Sequence, residues 1–373
     1  MKEILKRYIT RRRLLECLAI IIGIGFIVGA FSLISPYKIP PEDTLFYSQE
    51  SSNNFLDRTT YRATVKELRE DSMSVELLDG PRKGRQVNVS LDAMSAADLR
   101  IHQAVLVYTL PNSATVTYFD HYRLPVMAAV VGIFAALVLV IGRRQGLMSL
   151  VGLLLSIAIV ALVIIPAILH GWNAVLATLL GAVLMVVVSM GVSHGLRKRT
   201  YIAMAIIIAI IGLVTLLAYL GQYVLGLSGI GSEVAYYLAV GKSGFSLSDI
   251  LIASIIIASL GVLDDVVTTQ VAAIDELHQE NPSISRLTLY TRGMSVGREH
   301  IASLINTLAL AYLGASLVGI LSLTLNYQDS LLFILNSELI SEEILRTIIA
   351  STGLILAVPL STLLTVYILT RRR

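Results

Sequence analysis

The sequence predicts an α-helical polytopic membrane protein of about eight transmembrane helices, with a small all-β outer domain, an OB-like barrel, inserted between the first and second helices. Three observations lead there. Of the 373 residues, 55% are hydrophobic and only 15% charged, against about 25% charged residues in an ordinary soluble domain. Eight apolar stretches approach the roughly 20 residues that a helix needs to cross a bilayer core about 30 Å thick. Between the first two of them, apolar and polar residues alternate with the period of a strand.

The spans are expected at 17–35, 124–142, 147–169, 173–193, 201–225, 247–267, 301–324 and 347–370. The first follows Arg11, Arg12 and Arg13 as a secretory signal would, but no small-residue cleavage site follows Leu33-Ile34-Ser35-Pro36-Tyr37, so it reads as a retained anchor. Pro166 and Pro359 lie within spans and should kink them. Three regions result: a basic segment and first helix (1–35), an outer β domain (36–123), and a seven-helix domain (124–373) with a cytoplasmic helix near 268–280.

Lysine and arginine set the orientation. With eight spans, the two termini and the loops 143–146, 194–200 and 268–300 share one side and 17 basic residues; the short opposite loops carry two. Both termini are therefore expected in the cytoplasm of a plasma-membrane protein. Segment 36–123 holds the remaining 10 basic residues beside 12 acidic ones, and faces outward.

Within the outer segment, Tyr61, Ala63 and Val65 alternate with Arg62, Thr64 and Lys66. The same pattern recurs at Met73, Val75 and Leu77, and at Val87, Val89 and Leu91, with further strands at 103–110 and 114–119. Asp79-Gly80-Pro81, Lys83-Gly84 and Pro111-Asn112 supply the turns. Five short antiparallel strands suit a small barrel. Such a domain serves either to capture an envelope partner or to cap and stabilise the assembly, and fold alone does not choose.

Composition also excludes classes. The overall charge of +3 and the slightly acidic outer segment give no basic face for nucleic acid. One cysteine, Cys17, permits no disulfide framework and no CxxC site, and six scattered histidines contain no i, i+4 zinc pair. No Walker loop, nucleophile elbow or glycosidase carboxylate pair is present, so catalysis has no motif behind it and no cofactor is named.

Charged groups inside a span cost about 2.5–3.5 kcal/mol each on insertion scales, so those that persist mark functional sites by default. Three regions qualify. The uncharged run Ile250–Leu263 is too short to cross, so either its helix carries Asp264, Asp265 or both into the inner leaflet boundary or the bilayer thins. Asp265, Thr268, Thr269, Ala272 and Glu276 share one face of that helix. A plainer account has both carboxylates reaching headgroup water at a helix end.

In the second region, Gly297-Arg298-Glu299-His300 opens the seventh span. Glu299, Ser303 and Asn306 form one polar line there, and the parallel line through Arg298, Ala302, Ala309, Tyr312 and Ser316 suits close helix packing. Opposite charges at one depth should pair, Asp265 with Arg298 first, and His300 adds a group that titrates near physiological pH. The third region, Leu227–Leu238, contains Glu233 near the start of a stretch too short to cross. It is either a re-entrant or interfacial helix with a second site, or an ordinary capping position.

These stretches carry a resemblance. Gly261–Leu277, Gly297–Gly314 and the tail from Ser341–Arg346 to Val358–Ser361 resemble the YibE/F family of bacterial multi-span membrane proteins, with shorter echoes at Gly142–Gly146, His194-Gly195 and Ser228–Glu233. The likeness runs from about 124 to the end. It implies a permease whose motif positions are Asp265, Thr269, Gly297, Arg298, Glu299, Asn306, Thr307 and Tyr312. Asp264 departs from the family pattern, which is often uncharged there; Glu299 replaces an Asp and keeps the charge.

The expected function is a plasma-membrane secondary transporter for a small solute or ion. Asp265 is the coupling carboxylate, Arg298 and Glu299 are its charge partners, and Asn306 and Thr269 line the path. A non-transporting scaffold whose outer domain binds an envelope component is the alternative, and an intramembrane enzyme acting on lipid or cell-wall precursors is a third.

Overall fold

The computed structural model describes residues 59–69, 71–91, 99–109, 115–195, 197–240, 244–326 and 331–371. The expected first span at 17–35 lies outside them. The described residues fall into two compact units, one ending at Arg143 and the other beginning at Arg144.

The first unit contains the five expected strands, β1 (Thr59–Leu68), β2 (Ser72–Leu77), β3 (Gln86–Ser90), β4 (Ala104–Thr109) and β5 (Val116–His121). They close into a barrel in the order β1-β2-β3-β5-β4. All neighbours are antiparallel except β3 and β5, which pair in parallel through Val89 with Val116 and Ser90 with Thr117. The inward half of each alternation, including Ala63, Val65, Met73, Val75, Val89, Val105 and Val107, forms its core. Register shifts between Val65 and Glu67, and between Leu106 and Val107, bend the strands toward closure. Arg62 crosses to Asp79, donating from its backbone N–H and from Nε, each at 2.8 Å.

From residue 124 onward the chain is helical: α1 (Leu124–Ile159), a π-helical turn (Val160–Ile164), α2 (Ile165–Leu169), α3 (Ala174–His194), α4 (Lys198–Leu225), α5 (Glu233–Val240), α6 (Leu247–Glu280), α7 (Arg286–Ala315), α8 (Leu317–Asn326), α9 (Leu331–Asn336) and α10 (Glu338–Thr370). Among the described residues, five stretches are long and apolar enough to cross a membrane, or six with the bent pair α7 and α8. This is a multi-pass membrane architecture. The first stretch, Leu124–Leu169, contains 46 residues and is broken by a non-helical Arg143 with φ 48° and ψ −129°. The break falls where Gly142-Arg143-Arg144 was expected to divide the second span from the third.

The π-helical turn has a local cause. Pro166 stands in the first turn of α2; it lacks an N–H and its ring crowds the preceding turn. The helix widens just before it, at Val160–Ile164.

The seventh span differs from expectation. It begins at Arg286, with Ser285 Oγ capping Thr288 N at 3.1 Å, and bends by 55° at Ser316. Arg298, Glu299 and His300 therefore sit in the middle of a helix rather than at its start. The continuation toward the N-terminus is held by packing: Gly293 abuts Ile274 and Thr362, and Gly297 abuts Val358 and Gln270. Small residues four apart let α7 approach α6 and α10 closely.

The main core joins α3 (Met185, Val186), α4 (Ile207, Ile210), α6 (Ile252, Ile255) and α10 (Leu345, Ile349), all buried. α6, capped by Ser246, runs 34 residues without interruption from Leu247 to Glu280. At about 1.5 Å per residue it is far longer than a bilayer core is thick. Span and polar extension are thus one helix, as the stripe beyond Asp265 implied. α10 likewise continues through Pro359.

Candidate functional site: a polar cavity between α1, α3 and α6

Three apolar helix faces enclose a cavity of about 460 Å³. α6 contributes Ile257, Leu260, Gly261, Asp264 and Asp265, which follow one another at helical spacing on a single face. α3 brings Ser189, Ser193 and His194, and α1 brings Ser149 and Ser156, with Val160 of the π-helical turn beside them. Two carboxylates, an imidazole and four hydroxyls thus converge within walls that are otherwise aliphatic.

α1 and α3 come together at Gly152. A Cβ there would lie 2.3 Å from Ser193 Oγ and 3.0 Å from Ser189 Oγ. Ser193 Oγ donates weakly, at 3.4 Å, to the Met148 carbonyl. This leaves it free to turn toward a ligand.

Asp264 is half-buried and Asp265 exposed. His194 and Asp265 are the titratable groups that act on Asp264. Asp264 Oδ1, Thr268 Oγ1 and His194 Nδ1 are all buried without a hydrogen-bond partner. Buried polar atoms rarely stay unpaired. Of these residues Asp264 and His194 line the cavity, while Thr268 lies one turn beyond Asp264 and outside it, and a polar pair at a cavity wall is what an ion, a water or a polar solute satisfies. Among the described residues, no group of three or more His, Cys, Asp or Glu is arranged to hold a metal ion.

The other expected site residues lie elsewhere. Arg298 and Glu299 are exposed on α7, as are Asn306 and Thr307, while His300 and Tyr312 are half-buried. Thr269 is exposed on α6 and does not line the cavity. No hydrogen bond or ion pair joins Asp265 to Arg298 among the described residues; an ion pair within this unit is Arg346 with Glu343, one turn apart on α10. Equal depth in the bilayer does not fix the direction in which a helix face points. α6 turns its carboxylates toward α1 and α3, and its opposite side to α7 and α10. On that opposite side Gln270, 1% exposed, donates from Nε2 to the Gly293 carbonyl and to Thr362 Oγ1, both at 2.8 Å.

Glu233 begins α5. The neighbouring turn is held from α10: Glu338 accepts hydrogen bonds from Ser228 N, Ser228 Oγ and Gly229 N, and Glu342 accepts one from Gly231 N at 3.0 Å. The carboxylates that organise Leu227–Gly231 are therefore Glu338 and Glu342, which sequence reasoning passed over. His194, which appeared only as part of a short family echo, and the four serines were not among the expected site residues. The signals for the serines were Ser189 and Ser193 four apart and Ser149 and Ser156 seven apart, each pair on one face of a helix.

No curated protein and no solved structure matches the chain. The family model described as YibE/F-like protein matches residues 130–371, which include every helix lining the cavity, and the chain belongs to that family.

Proposed function

We propose that the protein is a secondary transporter, a permease of the bacterial plasma membrane, that moves a small solute or ion through the cavity between α1, α3 and α6. Asp264 and Asp265 are the coupling carboxylates, and His194 is the group that exchanges charge with them. The observation carrying this reading is the convergence of two carboxylates, one imidazole and four serine hydroxyls in a single cavity of about 460 Å³ among membrane-spanning helices. Ionisable groups at such depth are expensive and serve as ion or proton relays. Hydroxyls both donate and accept, and so can pass a proton or replace part of an ion's hydration shell.

In this reading the chain spans the membrane eight times, with residues 17–35 as the first span and both termini cytoplasmic, as the Lys and Arg bias directs. The outer barrel is of the OB type, supported by its closed order and its parallel β3–β5 pairing. It docks an envelope component or stabilises the assembly.

The test uses purified full-length chain in proteoliposomes loaded with a pH-sensitive dye, under an imposed potassium diffusion potential. Proton movement is followed with sodium, magnesium or phosphate gradients in turn. Asp264→Asn and His194→Gln should each lower a protein-dependent flux at least ten-fold, while Arg298→Gln leaves it within two-fold. Equal flux in all three variants would sink the assignment.

One observation favours the scaffold reading as well. Glu299, Ser303 and Asn306 form an exposed polar line on α7 with exposed Arg298 beside it, the kind of surface a second helix covers in lipid. Asn306→Cys cross-linking in membranes tests it: recovery of monomer alone removes the support.

A further inference from the structure

The start of α7 and the end of α10 form a groove of about 650 Å³. Leu287 and Tyr290 line it from α7, and Leu363, Leu364 and Tyr367 from α10. Its floor is fixed, since Val366 packs with Ile274 and Leu289 in a buried cluster that Tyr290 joins. Its sides are uncovered: Leu287 is 74% and Leu363 56% exposed.

Two arginines stand where these helices end. Arg286 opens α7 and donates from Nη2 to the Thr370 carbonyl at 3.2 Å. The Arg371 guanidinium, just past α10, lies 5.7 Å from the centre of the Tyr367 ring. Both of these partners are neutral, and no carboxylate lines the groove, so its walls do not balance the charge at its mouth. The depth follows from the sequence. α10 carries no charge from Thr347 to Thr370 and then meets Arg371-Arg372-Arg373. At about 1.5 Å per residue that run is long enough to cross a bilayer core. Its end therefore lies at the headgroups, with Leu363 and Leu364 about two turns deeper, among the acyl chains.

We infer that the groove binds one anionic phospholipid, with an acyl chain between α7 and α10 and the phosphate at Arg286 and Arg371. Tyr290 and Tyr367 suit the boundary between chain and headgroup, where tyrosine is enriched. A guanidinium has five N–H donors. The carbonyl bond and the ring contact hold the two arginines in place and leave donors for phosphate oxygens. A zwitterionic headgroup brings a cation that two arginines repel, so net negative charge is part of the fit. Membrane orientation alone does not account for the arrangement: the positive-inside bias asks for charge in a loop, not for guanidinium groups tied to two helix ends beside an apolar groove. The leaflet, the cytoplasmic one, rests on the orientation proposed above; the groove and its ligand do not, and their test reads neither flux nor topology.

Native mass spectrometry of the full-length chain, released from a neutral detergent, provides that test. The protein is titrated with dioleoyl phosphatidylglycerol, dioleoyl phosphatidylcholine, dihexanoyl phosphatidylglycerol or inorganic phosphate. The dioleoyl phosphatidylglycerol adduct should saturate and form at least five-fold more tightly than that of either other lipid. The double variant Arg286→Gln, Arg371→Gln should weaken it at least ten-fold, and Arg292→Gln, which removes an exposed arginine outside the groove, should leave it unchanged. If the double variant fails to fold, Arg371→Gln alone, beyond the helix, should weaken the adduct at least three-fold. Equal binding by wild type and the arginine variants, phosphatidylcholine bound as tightly as phosphatidylglycerol, or no saturable adduct would overturn the inference. So would inorganic phosphate or the short-chain lipid binding as tightly as the long-chain one, since the groove would then hold no acyl chain.

Discussion

Gly297→Ala should loosen the α7–α10 contact by an amount readable from local geometry. A Cβ added at Gly297 would lie 2.2 Å from Val358 Cγ1 and 3.2 Å from both amide atoms of Gln270. Val358 is fully buried, and as a β-branched residue it has one strongly preferred rotamer in a helix. The methyl it would have to withdraw has no space to enter. Gln270 cannot yield either without giving up its bonds to the Gly293 carbonyl and Thr362 Oγ1. Overpacking of this kind costs about 1–3 kcal/mol. For a unit of this size that corresponds to a lowering of the unfolding midpoint by roughly 2–12 °C. The assay is thermal unfolding of the full chain in detergent, followed by size-exclusion chromatography of the soluble fraction. Val358→Ala removes the clashing methyls, so the double variant Gly297→Ala, Val358→Ala should lie above Gly297→Ala even though Val358→Ala alone lies below wild type. A Gly297→Ala midpoint within 1 °C of wild type, or strictly additive losses in the double variant, would refute close packing as the reason for glycine.

Three further outcomes follow from named contacts. Gly229 has φ +84°, and its added Cβ would lie 2.3 Å from the Leu247 carbonyl oxygen, so Gly229→Ala should cost at least about 2 kcal/mol, seen in the same unfolding assay, because neither backbone can move cheaply. Glu338→Ala leaves Ser228 N, Ser228 Oγ and Gly229 N without their acceptor; it should destabilise the Leu227–Gly231 turn by about 1–3 kcal/mol, read as faster amide exchange there, with exchange in the α3–α4 core unchanged. In the barrel, the hydrogen bond from Arg62 holds the Asp79 carboxyl below its usual range. A lowered folded pKa means that the stabilisation is complete above the unfolded value of about 3.9 and is lost as pH falls through the folded one. Amide exchange of β1, corrected for intrinsic rate, should therefore be level from pH 8 to 5 and accelerate at lower pH, and Asp79→Asn should remove that contribution at neutral pH.

Much of the fold was legible because its signals are local. A bilayer demands a fixed length of apolar residues, so the helices fall where the runs fall. A barrel core demands alternation, so all five strands emerged within a few residues of their ends. The parallel pairing of Val89 with Val116 was not legible, since nothing in either strand names its partner. The helix bounds failed where packing overrode composition: Gly293 and Gly297 allow α7 to start at Arg286, although its first two turns look like loop. For the site, Asp264 and Asp265 were visible because charge in an apolar run stands out. Their surroundings were not, since Ser149, Ser156, Ser189, Ser193 and His194 are single polar residues on two helices more than sixty positions away in sequence. Charge complementarity suggested Arg298 instead, but complementarity supplies no azimuth. Asp264 is the more buried of the two carboxylates.

The cavity has one wall unlike the others. α3 and α6 are regular where they line it, whereas α1 reaches Val160, the first residue of the π-helical turn. That turn is seated by a glycine: a Cβ on Gly181 would lie 2.4 Å from Ile164 Cγ1, so α3 is cut back where the widened turn bulges toward it. The sequence cause, Pro166, lies two residues beyond the turn. A π-helical turn can relax to α-helix by shifting one residue of register, and such a shift rotates every residue on its far side by roughly 100° about the helix axis. Across this turn, one wall of the cavity can thus turn relative to the segment beyond it while the carboxylates on α6 stay in place, held through Gln270, Gly293 and Thr362. The proposed transport needs one wall that moves and one that does not, and the irregular backbone of Val160 shares the cavity with Asp264 and Asp265.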